Sequence, residues 1–207
     1  PRHASLWADL RVKQIERGGE LLLLEALYER VPASLPQKEQ ARAAVDAAVL
    51  KEAESALKAG TPGIVSGLLA KLSEKEQASP AASRLKAEAA SALGQVCVIR
   101  RDWDCANTRL MESLSAPDES ASALALKTQL VLALGPLAEQ AATAAQKERT
   151  KKLDALKDVE RLYAILAAAD PEAFAKKHET VKRSVSSLSA SQHAAKAAAR
   201  KATQPLR

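Results

Sequence analysis

A chain of 207 residues is long enough for one or two domains with a real core, and its apolar share of 47% stands against an aromatic share of only 2%. The apolar fraction is mostly alanine and leucine, which favours tightly packed helices and leaves little material for strands. The net charge of +6 is uneven, since residues 171–207 hold eight Lys/Arg and two acids while the rest carries equal numbers of each sign. No uncharged run reaches the ~18–20 apolar residues of a membrane span, because Lys127 and the Gly135-Pro136 pair interrupt the most apolar stretch. The chain starts at Pro1 without a methionine, so we expect it to be processed or trimmed, which leaves room for a removed export signal.

The spacing predicts nine helices, over 4–16, 20–30, 37–59, 62–77, 80–100, 103–115, 118–134, 137–169 and 171–203. Prolines 32, 36, 62, 80, 117, 136 and 171 stand where one periodic run stops and another starts. Thr61-Pro62, Ser79-Pro80 and Asp170-Pro171 each read as an N-cap followed by a proline in the first turn, where its missing N–H costs nothing. Gly18-Gly19, Gly60 and Gly135 mark other breaks. Short connections predict antiparallel neighbours. The last two helices carry facing stripes: Leu153, Leu156, Val159, Leu162, Tyr163 and Leu166 on one, and Phe174, His178, Val181, Val185 and Leu188 on the other. They predict a long hairpin bent at Asp170-Pro171, fraying beyond Leu188 where the stripe fades.

Leu93-Gly94, Cys97, the turn Arg101–Asp104, Ala106, Leu110, Leu114 and Pro117 follow a spacing that resembles the tetratricopeptide repeat, two antiparallel helices over about 34 residues with small residues at their crossing. Gly94 would meet Ala106, and Trp103 takes the aromatic position at the start of the second helix. Three positions depart from the pattern: Arg101 replaces the turn glycine, Ser113 replaces a small alanine, and Pro117 comes about one residue early. Echoes occur at Trp7, Leu10, Gly18 and Leu27, at Val49, Ala53, Gly60, Val65 and Leu69, and at Leu124, Val131 and Gly135. The resemblance covers about residues 4–135 and is clearest over 87–117. It implies an all-α, TPR-like α-solenoid of antiparallel helix pairs over 1–135, followed by two long C-terminal helices over 136–207. It also implies that the first helix of each unit lines a concave face, which puts Glu88, Ser91, Gln95, Val98 and Ile99, then Ser122, Ala125, Gln129 and Leu132, toward a partner.

Within that hairpin Cys97 and Cys105 face each other, either as two small buried residues or as a disulfide; their spacing fits no zinc or C-x-x-C redox motif. His3, His178 and His193 lie far from them. No phosphate-cradling glycine loop, H-E-x-x-H or G-x-S-x-G occurs, so no enzyme, cofactor or metal is expected. Asp102 and Asp104 read as helix-capping, charge-balancing acids beside Arg100 and Arg101.

These features predict a non-enzymatic scaffold or adaptor that holds an extended peptide or amphipathic helix of another protein. The cysteine pair and the alanine-rich, lysine-bearing composition suggest a bacterial cell-envelope or periplasmic setting. The alternative is a nucleic-acid or anionic-membrane binder acting through Lys176, Lys177, Lys182, Arg183, Lys196, Arg200 and Lys201, although no aromatics are interleaved with those charges for base stacking.

Overall fold

The structure, a computed structural model, describes residues 2–116, 120–148 and 150–202, with side chains described between residues 3 and 195 of those ranges. Among the described residues the chain is all-α, with no strand. Its elements are α1 (Arg2–Glu16), α2 (Leu21–Glu29), α3 (Gln37–Lys58), a 3₁₀ turn (Pro62–Ile64), α4 (Val65–Leu69), α5 (Glu74–Gln77), α6 (Pro80–Ile99), α7 (Trp103–Ser113), α8 (Ala121–Lys147), α9 (Lys152–Ala169) and α10 (Pro171–Ala202). They form two compact units, one of Pro1–Val96 with Thr108–Ala123, the other of Cys97–Asn107 with Leu124–Arg207. The boundary expected between Gly135 and Pro136 therefore falls inside α8.

In the first unit α3 packs against α1, α2 and α4. Its inward stripe of Ala41, Val45, Val49, Ala53 and Ala56 meets Ala8, Val12 and Ile15 of α1 and Leu24 of α2 in one buried cluster. Gln37, at the start of α3, ties to α1 by donating to Ser5 Oγ (3.0 Å) and Asp9 Oδ1 (2.9 Å). Where α3 ends, Gly60 takes a left-handed φ of +73°. The Gly60 N–H then bonds the Leu57 carbonyl (3.0 Å) and the Thr61 N–H bonds the Ala56 carbonyl (2.9 Å), the Schellman pattern that glycine makes inexpensive. Thr61, expected to cap the next helix, instead donates its hydroxyl back to the Ala56 carbonyl at 3.0 Å.

The single helix expected over 62–77 is broken into the 3₁₀ turn, α4 and α5. Gly63 and Gly67 weaken its first turns. The buried carboxylate of Asp46, on α3, completes the break. It accepts the Ser73 backbone N–H (3.0 Å) and hydroxyl (2.6 Å), and pairs with Arg42 at 2.9 Å. In a continuous helix that N–H would be donated to the Leu69 carbonyl. Ser73 in turn caps α5 by accepting from the Glu76 N–H. Ser79 and Asp170 behave as expected of N-caps, accepting from the Ala82 N–H (3.2 Å) and the Ala173 N–H (3.1 Å).

In the second unit α8 runs straight through Gly135 and Pro136, where the sequence predicted a break. The proline forfeits one backbone bond at a cost of roughly 3 kcal/mol. Offsetting it, Leu126, Leu130, Leu134 and Ala138, spaced by four, are all fully buried across the site. By length and composition α8 could cross a membrane, its most apolar stretch having a mean hydropathy of 1.4. Only 28% of that stretch is buried, along the one face formed by this stripe. The break comes later. Glu148 Oε1 accepts from the Thr150 N–H (2.9 Å), the Thr150 hydroxyl (2.7 Å) and the Lys151 N–H (3.1 Å), so α9 starts at Lys152.

Helices α9 and α10 pack along each other about Asp170. Val159, Tyr163, Ile165, Leu166 and Ala169 of α9 are buried, whereas Phe174, His178, Val181, Val185 and Leu188 of α10 are half-buried. The α10 backbone continues past Leu188 to Ala202. Pro117, the last position of the clearest repeat, lies outside the described residues.

Asp46 bridges α3 to the start of α5, and its loss leaves the Arg42 guanidinium with the Lys71 carbonyl as its remaining acceptor. Asp46→Ala should lower unfolding free energy by about 3 kcal/mol and Asp46→Asn by about half as much, read from denaturant midpoints.

Candidate functional site

The turn between α6 and α7 concentrates the chemistry of the chain. Helix α6 ends with the same pattern as α3: the Arg101 N–H bonds the Val98 carbonyl (3.0 Å) and the Asp102 N–H bonds the Cys97 carbonyl (2.9 Å). Here the residue at the left-handed position is Arg101, with φ +58°, where an L side chain costs roughly 1–2 kcal/mol. Asp102 serves both helices, because its carboxylate accepts the Cys105 N–H (3.1 Å) as the N-cap of α7. Cys97 and Cys105 are joined as a disulfide, with Cα atoms 5.8 Å apart. Closing a loop of this size removes roughly 2–3 kcal/mol of entropy from the unfolded chain.

In the first turn of α7, Asp104 pairs with Arg161 of α9 in a forked contact, its Oδ1 accepting from Nε at 2.9 Å and its Oδ2 from Nη2. Both groups are largely exposed, so the pair orients more than it stabilises. Between the turn and α9 lies a cavity of about 520 Å³, lined by Arg100, Arg101, Asp102, Trp103, Asp104, Asp158, Arg161, Leu162 and Ile165. Trp103 is half-buried, and Ile165 is buried at the cavity wall. Arg100, Arg101 and Asp158 have no hydrogen-bonding or ionic partner for their side chains among the described residues. Arg100, Arg101, Asp102, Trp103 and Asp104 drew attention in the sequence. Asp158 and Arg161 did not, since nothing in their local pattern signals a partner 57 positions away.

The residues expected to line a concave face are distributed between the units. Glu88, Ser91, Gln95 and Ser122 lie in the first; Val98, Ile99, Ala125, Gln129 and Leu132 lie in the second. Ser91 is fully buried and donates to the Ala87 carbonyl at 2.9 Å, so it presents no surface. Glu88 is half-buried beside Arg84 at 3.9 Å, and Gln95, Val98 and Ser122 are half-buried. Ile99, Ala125, Gln129 and Leu132 are exposed, Ile99 at 80% and Leu132 at 71%. Trp7 and Leu10, read as repeat positions, are also exposed, together with Leu6, Leu22 and Leu23.

Of the cations on α10, Lys176 and Lys182 are exposed and have no ionic partner among the described residues, Lys177 pairs with Glu139 of α8, and Arg183 pairs with Glu179 at 3.0 Å. Lys196, Arg200 and Lys201 lie on the α10 backbone, but their side chains fall outside the described residues. Glu139 ties α8 to α10 through Lys177, and its carboxylate lies near the buried Tyr163 of α9. The Lys177 hydrogen bond holds the Glu139 carboxyl below its usual range, while burial, then the Glu139 carboxylate, push Tyr163 up to about 12.

No protein-family model matches this sequence, and comparisons with curated proteins and with solved structures return no match.

Arg101→Gly should relieve the left-handed residue and raise stability by about 1 kcal/mol after the added freedom of the unfolded chain is deducted, a gain of roughly 2–4 °C in Tm. For Tyr163, a raised folded-state pKa means that its stabilisation is fully present below pH ~10 and lost as pH rises through about 12. In a Tyr28→Phe chain, tyrosinate absorbance should therefore appear with a midpoint near 12, and a midpoint near 10 would contradict the burial of Tyr163.

Proposed function

We propose that the chain is a non-enzymatic helical-repeat adaptor, similar to tetratricopeptide-repeat proteins, which binds another protein through apolar helix faces that its own core leaves uncovered. The observation that carries this reading is the double-sided α1. Ala8, Val12 and Ile15 turn toward α3, while Leu6, Trp7 and Leu10 remain exposed, Leu6 at 65% and Trp7 at 62%. Positions two apart on a helix lie about 200° apart, so Leu6 and Leu10 look away from α3. The same holds for exposed Leu22 on α2 against buried Leu24, and its neighbour Leu23 is exposed as well. Monomers seldom leave several large apolar side chains grouped in this way, and such groups mark protein-binding surfaces.

The buried Gly94 and Ala106, on α6 and α7, support the repeat reading at the clearest unit. Exposed Ile99 and Leu132 support an apolar lining on the first helices of successive units. The disulfide supports an oxidising compartment, as the bacterial envelope or periplasm would provide. The anionic-surface reading keeps Lys176, Lys182, Lys196, Arg200 and Lys201, while Lys177 and Arg183 pair with Glu139 and Glu179.

Affinity capture from the source cell separates the two. A discrete protein should be retained by the wild-type chain and by Lys176→Glu/Lys182→Glu, at low and moderate salt alike, and lost with Leu10→Lys/Leu22→Lys. Nucleic acid or lipid retained instead, and released by salt or by the charge reversal, would overturn the adaptor reading.

A further inference from the structure

The cavity at the α6–α7 turn stands apart from the apolar faces of the adaptor reading, and it carries three independent features. Two guanidiniums, Arg100 and Arg101, line it without partners, as does one carboxylate, Asp158. Its wall is apolar, formed by half-buried Trp103 and Leu162 and by buried Ile165. Its rim is braced on both sides, covalently by Cys97–Cys105 and through the Asp104–Arg161 pair. The brace holds Arg101 in a backbone region that L side chains avoid, and strain of this kind persists where the surroundings enforce it and concentrates at functional sites. Gly60 fills the corresponding position after α3 without strain.

We propose that this cavity binds a carboxylate carried on a small branched apolar group, with the carboxylate on Arg100 and Arg101 and the apolar group against Trp103, Leu162 and Ile165. Guanidinium forks match a planar carboxylate and hold it by charge-assisted bonds. About 520 Å³ lies within the range of small-ligand sites. Asp158 shapes the selectivity. Its charge repels a multiply charged anion such as phosphate, and its oxygens can accept an N–H close to the carboxylate. That pattern of carboxylate, apolar side chain and adjacent amide belongs to the free end of a peptide. A simple branched carboxylic acid shares all but the amide.

The test uses the oxidised full-length chain with Trp7→Phe, which leaves Trp103 as the only tryptophan. Trp103 fluorescence is titrated with acetyl-dialanyl-leucine as the free acid, the same peptide as its C-terminal amide, 4-methylpentanoate and inorganic phosphate. The free acid should bind at least tenfold more tightly than the amide. Arg100→Ala and Arg101→Gly should each weaken it about tenfold, Arg101→Gly while raising the melting temperature, so lost binding cannot reflect lost folding. If 4-methylpentanoate binds as tightly as the peptide, the carboxylate site stands and a free acid is its ligand; if more weakly, a peptide end is. Equal binding of acid and amide, unchanged binding by Arg101→Gly, phosphate binding more tightly than the peptide, or no response to any probe at about 10 mM, a concentration at which a site with millimolar Kd is filled, would each overturn the proposal. Loss of the captured protein partner with intact peptide binding would instead count against the adaptor reading alone.

Discussion

A buried alanine takes about one methyl group out of water, worth roughly 0.8 kcal/mol, against the 1.5–3 kcal/mol of a leucine or phenylalanine. Much of this core is alanine: Ala8, Ala41, Ala53 and Ala56 in the first unit, Ala138, Ala145 and Ala169 in the second. Small side chains let helix axes approach closely, but each contact contributes little and fixes the register weakly. Tyr163 is the one fully buried aromatic side chain among the described residues. Specific polar or covalent fastenings at the helix joints therefore carry much of the definition of the structure. Asp46 fastens α3 to the start of α5, the disulfide closes α6 on α7, and Glu139 ties α8 to α10 through Lys177.

How the sequence foretold these joints depends on whether their partners are local. Ser79-Pro80 and Asp170-Pro171 were legible because cap, proline and accepted N–H lie within three residues of each other. Thr61-Pro62 has the same signature, but its hydroxyl had a nearer acceptor in the Ala56 carbonyl left by the Gly60 turn. Pro136 misled for the opposite reason. A stripe of Leu126, Leu130, Leu134 and Ala138 crosses it in register, and that periodicity outweighs one lost backbone bond. Asp46 could not be read as a cap for Ser73 at all, since the two are 27 positions apart and only folding brings them together. At the candidate site the turn residues, Trp103 among them, and Leu162 on the α9 stripe were visible from spacing, whereas Ile165 and the unpaired carboxylate on α9 were not.

The two helix ends that share one capping pattern show what the α6–α7 turn sacrifices. After α3 the left-handed residue is Gly60, free of the Cβ clash. After α6 it is Arg101, and the disulfide spans the joint from Cys97, whose carbonyl accepts the final N–H of the cap, to Cys105, whose N–H meets Asp102. A covalent closure of the outer loop lets the turn keep an unfavourable residue and still hold one geometry. A glycine would give the same turn at lower cost but would present no guanidinium to the cavity.

This arrangement makes the two proposed surfaces respond differently to their surroundings. The apolar face of α1 and α2 rests on a core around α3 in which no cysteine takes part, so its shape is independent of redox state. Its attraction, being hydrophobic, is little changed by salt. The cavity at the turn depends on the disulfide that constrains Arg101 and on charged groups at its rim. Reduction would free the loop to relax the strained residue, and salt would screen the guanidiniums. A chain whose turn is braced in this way is suited to an oxidising compartment, where both surfaces persist together. In a reducing one the apolar face would outlast the cavity.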